Sequence, residues 1–351
     1  MSTETALKGL ELISQTVGDC PDLVQGGGGN TSAKLNDEVM AVKASGYKLN
    51  QVNRDEGYVK VNYRKILDYY QNVDLREDKD FEKESVEMVR NSVIPDQSKK
   101  SLKPSIEAGF HSVLKKYVIH THSVYANILC CIEKGEELVG KVFEDEEYWP
   151  VWIPYTHPGF YLTLAVQETV SEYNAKYGQI PPVIFMENHG LIVTADDPEE
   201  CISINTAVSD KIKAYFDIKE AYPRIEVEKV ADSVYKSATR YLKEFFQNSN
   251  ITNEYFERIL YPDQIVYLGD NISINGEESK INIDTNQGEI IYKTNYNEAL
   301  TIEETLTAYL YIIENIEKNN LQLKTMSPKY IKMIQDMEGE KYRKKIMKDM
   351  K

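Results

Sequence analysis

Histidine is rare in this 351-residue sequence, and its placement constrains the fold more than any other feature. All five histidines lie in the middle of the chain. His120 and His122 stand two apart in a segment with the pattern of a strand, so both side chains point to the same face. His189 belongs to Glu187-Asn188-His189-Gly190, which is typical of a tight turn. Two imidazoles from a strand and one from a turn suit a catalytic zinc site with three protein ligands, so we expect the fold to bring these residues together.

The His-x-His pair taken alone fits two interpretations equally well. It can hold a metal, or it can be two ordinary polar residues on a strand. The third histidine favours the metal site. The remaining two histidines, His111 and His157, are more consistent with structural or site-lining roles than with ligation.

Composition argues against several classes of function. A net charge of −15 leaves no basic surplus to neutralise phosphates, which argues against nucleic-acid binding. No apolar run is long enough to span a membrane, and the first ten residues lack the segments of a signal peptide. No C-x-x-C spacing occurs among the four cysteines, which indicates reduced thiols in a cytoplasmic protein; these are Cys20, Cys130, Cys131 and Cys201.

Helical and strand patterns alternate up to about residue 220, which indicates an α/β fold. We expect a larger domain over residues 1–225 and a smaller α+β unit over residues 226–351. In the larger domain the patterns predict helices at 3–18, 79–93, 105–116, 160–177 and after Asp197, strands at 33–35, 39–43 and 183–186, and short strands with a polar connection at 48–78. In the smaller unit they predict a helix near 228–247, a strand at Gln264–Leu268, a hairpin near 272–293 and a helix near 300–318.

Four glycines, Gly26 to Gly29, precede Asn30, Thr31 and Ser32 in a loop that has two interpretations. The loop can be a flexible connection, or a cradle whose backbone N–H groups approach an anion closely. The Gly-Lys-Ser/Thr of a P-loop is missing. The hairpin predicted after the loop also excludes a dinucleotide-binding fingerprint.

Pro104-Ser105-Ile106-Glu107 is expected to start the helix that leads into the His-x-His strand, with Ser105 as its N-cap. Glu107 and His111 are four residues apart and would share a helix face. The carboxylate would then lie beside the metal, or it would be a solvated glutamate favoured by the helix dipole. Position alone does not separate these two interpretations.

Taken in order, these motifs resemble the class II aldolase/adducin superfamily. The resemblance is carried by Gly28-Gly29-Asn30-Thr31-Ser32, Ser45-Gly46, Pro104-Ser105-Ile106-Glu107, His120-Thr121-His122-Ser123 and Asn188-His189-Gly190. It implies a three-layer α/β/α fold with a central, mainly antiparallel sheet and a smaller C-terminal α+β extension. Tyr261–Gly269 and Glu338–Arg343 further resemble the aldolase portion of bacterial rhamnulose-1-phosphate aldolase/alcohol dehydrogenase proteins. That portion normally leads into a dehydrogenase domain; we expect none here, and no redox activity, because the sequence has no Rossmann fingerprint.

The resemblance implies a role for each motif. His120, His122 and His189 would bind the metal, usually zinc or another divalent transition metal, and Glu107 would be the catalytic acid/base. The family's epimerases carry an aspartate at that position, so the glutamate favours aldol chemistry. One departure is Ile106, where the aldolases often have a second serine, so one phosphate donor is lost. The residues implied to hold the substrate phosphate are Gly29, Asn30, Ser32, Ser45, Gly46 and Ser105.

The implied function is therefore a zinc-dependent aldolase that acts on a ketose phosphate or related sugar phosphate through a metal-stabilised enediolate. Epimerisation, dehydration and decarboxylation remain open alternatives, because they use related intermediates on the same scaffold. A non-catalytic, adducin-like interaction module is less favoured, because adducin heads lack the full ligand set. Family members are usually tetramers with sites between subunits, so we expect a homotetramer without nucleic-acid or membrane partners.

Overall fold

Seven strands form the larger of two sheets in the computed structural model, which describes residues 2–95, 102–269, 271–276 and 278–337. In chain order the strands are β1 (Asn30–Lys34), β2 (Val39–Lys43), β3 (Tyr58–Asn62), β4 (Tyr117–Thr121), β5 (Val151–Ile153), β6 (Val183–Met186) and β7 (Gly190–Ala195). Across the sheet they run β3-β2-β1-β4-β7-β6-β5. All neighbours are antiparallel except β5 and β6, which are parallel.

The central strand β4 sets the position of the first histidine. Asn30 of β1 lies opposite His120 on one side, and Ile192 of β7 lies opposite it on the other. Side chains directly opposite each other on neighbouring strands point to the same face. Asn30 and His120 are therefore neighbours on one face, and His122 follows immediately after the end of the strand.

Helices cover both faces of this sheet. They are α1 (Thr3–Gly18), α2 (Tyr63–Asn72), α3 (Phe81–Asn91), α4 (Ala108–Val113), α5 (Val124–Cys130), α6 (Gly135–Val142), α7 (Phe160–Tyr177) and α8 (Pro198–Tyr215). Adjacent strand residues belong to different hydrophobic clusters: Ile119 packs with residues of α1 and α8, whereas Val118 packs with residues of α4 and α7. The expected three-layer α/β/α fold with a mainly antiparallel sheet is confirmed.

Several helices were predicted correctly from local sequence patterns. The helices expected at 3–18 and 160–177 are α1 and α7, and α8 begins after Asp197, whose side chain accepts a hydrogen bond from Glu200 N (3.1 Å). The charged segment expected to be helical at 79–93 is α3. All four cysteines are thiols in the structure, as predicted.

Helix α4 is shorter than the sequence predicted. The expected start with Ser105 as N-cap is wrong, because Glu107 is the N-cap residue of α4. Pro104 instead forms an antiparallel bridge with Ala44, just after β2. A proline disfavours the helical conformation in the residue before it, and the bridge holds this segment extended, so the helix begins later.

The segment 48–78 contains a helix that the patterns missed. It was expected to hold short strands and a polar connection, but β3 is followed at once by α2. Asn62 caps α2, and its side chain accepts a hydrogen bond from Lys65 N (3.1 Å). The buried residues of α2, Tyr63, Ile66 and Tyr70, have helical spacing that the strand interpretation overlooked.

A second sheet lies in the C-terminal region, residues 226–337. Its five strands run β10-β11-β12-β9-β8, and β10 and β11 are parallel. The elements are β8 (Val227–Ala231), β9 (Val234–Ser237), α9 (Arg240–Asn248), β10 (Ile272–Ile274), β11 (Ile281–Asp284), β12 (Glu289–Tyr292), α10 (Tyr296–Lys318) and α11 (Pro328–Asp336). The hairpin expected near 272–293 is formed by β11 and β12, and the helix expected near 300–318 is α10. The Glu338–Arg343 motif lies outside the described residues.

Two predictions for the C-terminal region are wrong. Residues 228–247 do not form one helix, because the β8–β9 hairpin precedes α9. Gln264–Leu268 is a single π-helical turn rather than a strand, and Gly269 N donates to Gln264 O, five residues back (3.1 Å). All five side chains of this turn are buried, and a short apolar run buried on every side has no periodicity to separate strand from helix.

One hydrophobic cluster joins the C-terminal region to the larger sheet. It contains the fully buried residues Ile13 of α1, Val208 of α8 and Leu306 of α10. The predicted division at residue 225 thus crosses a shared core, and it stays a prediction.

Within the described ranges, no helix combines the length and apolarity needed to cross a membrane.

Gly29 has both a left-handed backbone (φ +64°) and a close neighbour, since a Cβ there would lie 2.6 Å from His120 O. We predict that Gly29→Ala lowers the free energy of unfolding by more than about 2 kcal/mol, because the left-handed backbone alone costs roughly 1–2 kcal/mol and the contact adds to it. Gly178→Ala is the matched control, because Gly178 has φ +71° but nothing within 4 Å of its Cβ position. Urea denaturation measures both, and equal losses would contradict the prediction.

Candidate metal centre

The three predicted ligands meet in a buried cluster. Ring centroids of His120, His122 and His189 lie 5.0 to 5.3 Å apart. One ligand nitrogen from each residue lies within 4.8 Å of the other two. Each of the three residues is at most 4% exposed. The structure therefore brings the histidine trio together as the sequence predicted.

Hydrogen bonds fix the tautomers of two of these rings. His120 Nδ1 faces the backbone oxygen of Leu191 (3.0 Å), and His122 Nδ1 faces a carboxylate oxygen of Asp263 (2.5 Å). Both oxygens accept hydrogen bonds, so each Nδ1 carries the proton and donates it. Each Nε2 is therefore left unprotonated, with a lone pair that can bind a metal.

The two unprotonated nitrogens face each other, with His120 Nε2 3.2 Å from His122 Nε2. Two lone pairs at this distance repel each other unless a cation lies between them. At zinc–nitrogen distances of about 2.0–2.1 Å, two ligands of a tetrahedral zinc lie roughly 3.3 Å apart. The donor set therefore fits a divalent transition metal, for which imidazole is a suitable ligand.

The turn between β6 and β7 presents the third histidine. Asn188 adopts a left-handed conformation (φ +49°), and its N–H donates to Cys130 O (2.9 Å). His189 N donates to Met186 O (3.2 Å), which closes the turn. This geometry directs the His189 ring towards the end of β4, where the other two ligands lie.

Glu107 approaches the histidines from the start of α4. Its Oε1 lies 3.3 Å from His189 Nε2, and its Oε2 lies 3.6 Å from His120 Nε2. Burial raises the pKa of Glu107, but the adjacent His120 and His189 outweigh it and hold the pKa well below its usual range. Burial lowers the pKa of His120 well below its ordinary value, which keeps that ring neutral. The carboxylate of Glu107 thus lies beside the neutral imidazole of His120, within reach of the histidine cluster.

A chain of buried hydrogen bonds orients Glu107 from behind. The Ser32 hydroxyl donates to His111 Nδ1 (2.7 Å), and His111 Nε2 donates to Asn30 Oδ1. Asn30 Nδ2 in turn donates to Glu107 Oε2 (2.6 Å) and contacts Ser105 Oγ (3.4 Å). Ser32 was expected to hold substrate, and this stays a prediction; in the structure its hydroxyl is buried against His111. His111 bonds to Ser32 and Asn30 and lies outside the histidine trio.

The glycine run is mostly engaged by the chain itself. Three of its N–H groups have internal acceptors: Gly26 N donates to Glu304 Oε2 (2.6 Å), Gly27 N to the Tyr267 hydroxyl (3.3 Å) and Gly28 N to Gln25 O (2.9 Å). These groups do not form the open anion cradle that the sequence suggested. Gly29 follows them, immediately before β1.

The second predicted loop does lie beside Ser105. Ser45 N donates to Lys103 O (2.8 Å), which holds Ser45 and Gly46 next to the segment that carries Ser105. The Ser105 hydroxyl accepts from Glu107 N (3.2 Å). The Ser105 hydroxyl is therefore next to Glu107, whereas the side chain of the neighbouring Ile106 has no polar group.

Two residues of the site were not identified from the sequence. Lys43 is buried on β2, and its Nζ donates to Gly27 O (3.2 Å). The sequence feature that could have identified it is a lysine within the otherwise apolar run 39–44. Asp263 lies 141 residues from His122, and no local pattern links the two. His157 is not part of the trio; its Nδ1 lies 3.6 Å from Glu82 Oε1.

Residues 19–215, more than half of the chain, match the family described as "Class II Aldolase and Adducin N-terminal domain". Among curated proteins, the uncharacterized oxidoreductase YuxG of Bacillus subtilis is 27% identical over 222 residues, which cover 59% of this chain and 30% of that protein. The chain thus spans less than a third of the length of this relative.

Two of the solved structures that this chain matches come from Thermoplasma acidophilum and Thermotoga maritima. The N-terminal class II aldolase domain of a conserved Thermoplasma acidophilum protein is 22% identical, with a TM-score of 0.49, and covers 60% of this chain and 92% of its own. A sugar-phosphate aldolase from Thermotoga maritima is 13% identical, with a TM-score of 0.43, and covers 61% of this chain and 94% of its own.

The buried His111 makes the stability of the fold depend on pH. Burial lowers the pKa of His111 from 6.5 to about 3. Between these values the unfolded chain binds a proton that the folded chain does not, so the free energy of unfolding falls as the pH falls. We predict that this fall is steeper for the wild type than for His111→Gln, by up to about 1.4 kcal/mol per pH unit. Urea denaturation between about pH 7 and pH 4 measures it, and parallel profiles would contradict the assignment.

Proposed function

The chain belongs to the class II aldolase and adducin family, and from this membership we propose that it is a zinc-dependent aldolase acting on a ketose phosphate or related sugar phosphate. One observation carries the proposal. The unprotonated Nε2 atoms of His120 and His122 face each other at 3.2 Å beside the buried carboxylate of Glu107. This combination provides a metal site and a proton-transfer group in one place.

In this proposal, different side chains of the site bind the metal, transfer the proton and orient the carboxylate. His120, His122 and His189 hold the metal. When bound there, a divalent metal supplies Lewis-acid polarisation of the substrate carbonyl and offsets the negative charge that develops. Glu107 moves the proton, because it is the carboxylate nearest to the ligand nitrogens. Asn30 keeps that carboxylate oriented through its 2.6 Å hydrogen bond.

In the direction of bond formation, Glu107 removes a proton from the carbon beside the ketone of the donor. The electron pair of that C–H bond moves into an enediolate. The enediolate carbon then forms the new bond to the aldehyde carbon of the acceptor, the C=O π bond of the aldehyde opens onto its oxygen, and that oxygen takes up the proton that Glu107 carries. Cleavage reverses these steps: Glu107 accepts the proton of the hydroxyl, the carbon–carbon bond breaks as the aldehyde re-forms, and Glu107 returns the proton to the enediolate carbon.

The anionic end of the substrate is proposed to lie at the second loop. Ser45 and Gly46 are held next to Ser105 by the backbone pairing that follows β2. Three N–H groups of the glycine run already have acceptors, and the side chain of Ile106 contributes no donor. Fewer groups are therefore left to hold a phosphate than the family motif provides.

Other reactions on the same site begin with the same proton removal or charge stabilisation. Epimerisation, dehydration and decarboxylation would each leave a different product from a panel of sugar phosphates. Product analysis by NMR separates them, because only aldol cleavage releases both a ketone and an aldehyde fragment. Recovery of an isomer or a shortened acid would replace the aldolase assignment.

The first prediction from this proposal concerns metal content. We expect about one equivalent of zinc per chain, and loss of aldehyde release after chelation, because three ligands converge on one point. His122→Gln should lose the metal. The matched variant His157→Gln, which changes a buried histidine outside the trio, should keep it. Full activity of metal-free protein would contradict the proposal.

The second prediction concerns proton transfer. Glu107→Gln keeps the shape of the side chain but cannot accept a proton from carbon, so we expect turnover to fall by about 10²–10⁴-fold while zinc content is retained. Glu303→Gln is the matched control, because Glu303 is a buried carboxylate that contacts Ser237 and Tyr292. Steady-state kinetics and metal analysis are the measurements. Unchanged turnover in Glu107→Gln would remove Glu107 from the acid/base role.

A further inference from the structure

The C-terminal region reaches the metal centre through a buried carboxylate. We propose that Asp263 is a positioning residue for His122, and that the C-terminal region is thereby a required part of the metal centre. The proposal rests on the metal site of the proposed function. It assigns a role to residues that lie beyond the 19–215 match to the family.

The contact has the geometry of a ligand-orienting hydrogen bond. Asp263 is fully buried, and its Oδ2 lies 2.5 Å from His122 Nδ1, on the side of the ring away from the ligand atom. A carboxylate at this position fixes the tautomer and ring orientation and makes the imidazole a stronger donor to a metal. His120 has only the neutral carbonyl of Leu191 in the equivalent place, so His122 is the ligand that receives the charged support.

The chain holds Asp263 firmly in place. It immediately precedes the π-helical turn Gln264–Leu268, whose five side chains are all buried. The Gln264 side chain accepts from Leu260 N (2.9 Å) and donates to Arg258 O (3.2 Å), which ties the turn to the segment before it. An isolated buried carboxylate is unfavourable, so its placement against a histidine needs such a rigid support.

The glycine run leaves the space that this contact needs. A Cβ at Gly28 would lie 2.5 Å from Asp263 Oδ2 and 3.0 Å from His122 Nδ1. Any side chain there would push the carboxylate away from the ring. Next to it, Gly27 N donates to the Tyr267 hydroxyl of the same π-helical turn. The two contacts attach this turn to the loop that borders the metal centre.

A second contact supports another ligand. The side chain of Asn188, the residue before His189, donates to Leu260 O (2.8 Å) and to Lys324 O (2.9 Å). Lys324 Nζ also pairs with Glu187 Oε1 (2.7 Å). The C-terminal region therefore holds the turn that carries His189 as well as the ring of His122. Two of the three ligands depend on it for their orientation.

Metal binding and packing of the C-terminal region should then be coupled, and the coupling is reciprocal. We expect Asp263→Asn and Asp263→Ala to weaken Zn²⁺ binding by about 10–100-fold. The affinity is measured on the full, chelator-stripped chain by competition with a chromophoric chelator. The visible spectrum of the Co²⁺-loaded protein should also shift, because the orientation of a ligand changes.

Glu303→Gln is the matched control, since it neutralises a buried carboxylate of the same region that contacts Ser237 and Tyr292 rather than a metal ligand. Its Zn²⁺ affinity should stay within about twofold of wild type, well short of the loss at Asp263. Wild-type affinity in both Asp263 variants overturns the inference. An equal loss in Glu303→Gln also overturns it, because the loss would then reflect general destabilisation.

Wild-type protein provides a test that does not require a variant to fold. Zn²⁺ should slow amide hydrogen exchange in residues 260–268 more than in the partly exposed β8–β9 hairpin, and unchanged exchange at 260–268 overturns the inference. The two proposals fail in different ways. If wild-type protein binds no Zn²⁺, the proposed function fails; if it binds Zn²⁺ and the Asp263 variants bind it equally well, only the role of Asp263 fails.

Discussion

The positions of two protons determine how this molecule is organised. The carbonyl of Leu191 and the carboxylate of Asp263 accept hydrogen bonds from the Nδ1–H groups of His120 and His122, so the lone pairs are on the two Nε2 atoms, which lie 3.2 Å apart. The first acceptor depends on the pairing of β4 with β7, and the second depends on the C-terminal region. A cation between the nitrogens would relieve their repulsion. Strand register and C-terminal packing therefore both act on the same candidate metal site.

The same constraint explains the buried polar network around Glu107. A buried charge is unfavourable unless it is paired and hydrogen-bonded, and Glu107 has Asn30 on one oxygen and the histidines around both. His111 must stay neutral to donate to Asn30 while it accepts from Ser32. Each group thus fixes the protonation or orientation of the next, and the carboxylate is held ready before substrate binds. This pre-organisation suits a group that moves a proton to or from carbon.

What the sequence predicted correctly depended on local patterns. The His-x-His spacing and the His189 turn each act over a few residues, as do the Asp197 cap and the α1 periodicity, and all are present in the structure. The wrong predictions concern segments whose conformation is determined by residues far away in the sequence. A bridge to Ala44 delays α4, and tertiary burial makes Gln264–Leu268 a π-helical turn. Asp263 meets His122 across 141 residues, and no periodicity in one sequence encodes such a pairing.

The glycine run shows how one motif can serve a different purpose from the one its composition suggests. The backbone N–H groups of a glycine run can bind an anion. Here, however, the N–H groups of Gly26 and Gly27 donate to Glu304 and Tyr267 of the C-terminal region. The contact between Asp263 and His122 has room beside Gly28 only because glycine has no Cβ. The glycine run therefore lacks side chains so that the C-terminal region can approach its backbone closely. The proposed recognition of an anionic substrate therefore relies on the loop at Ser45 and Gly46 rather than on the glycine run.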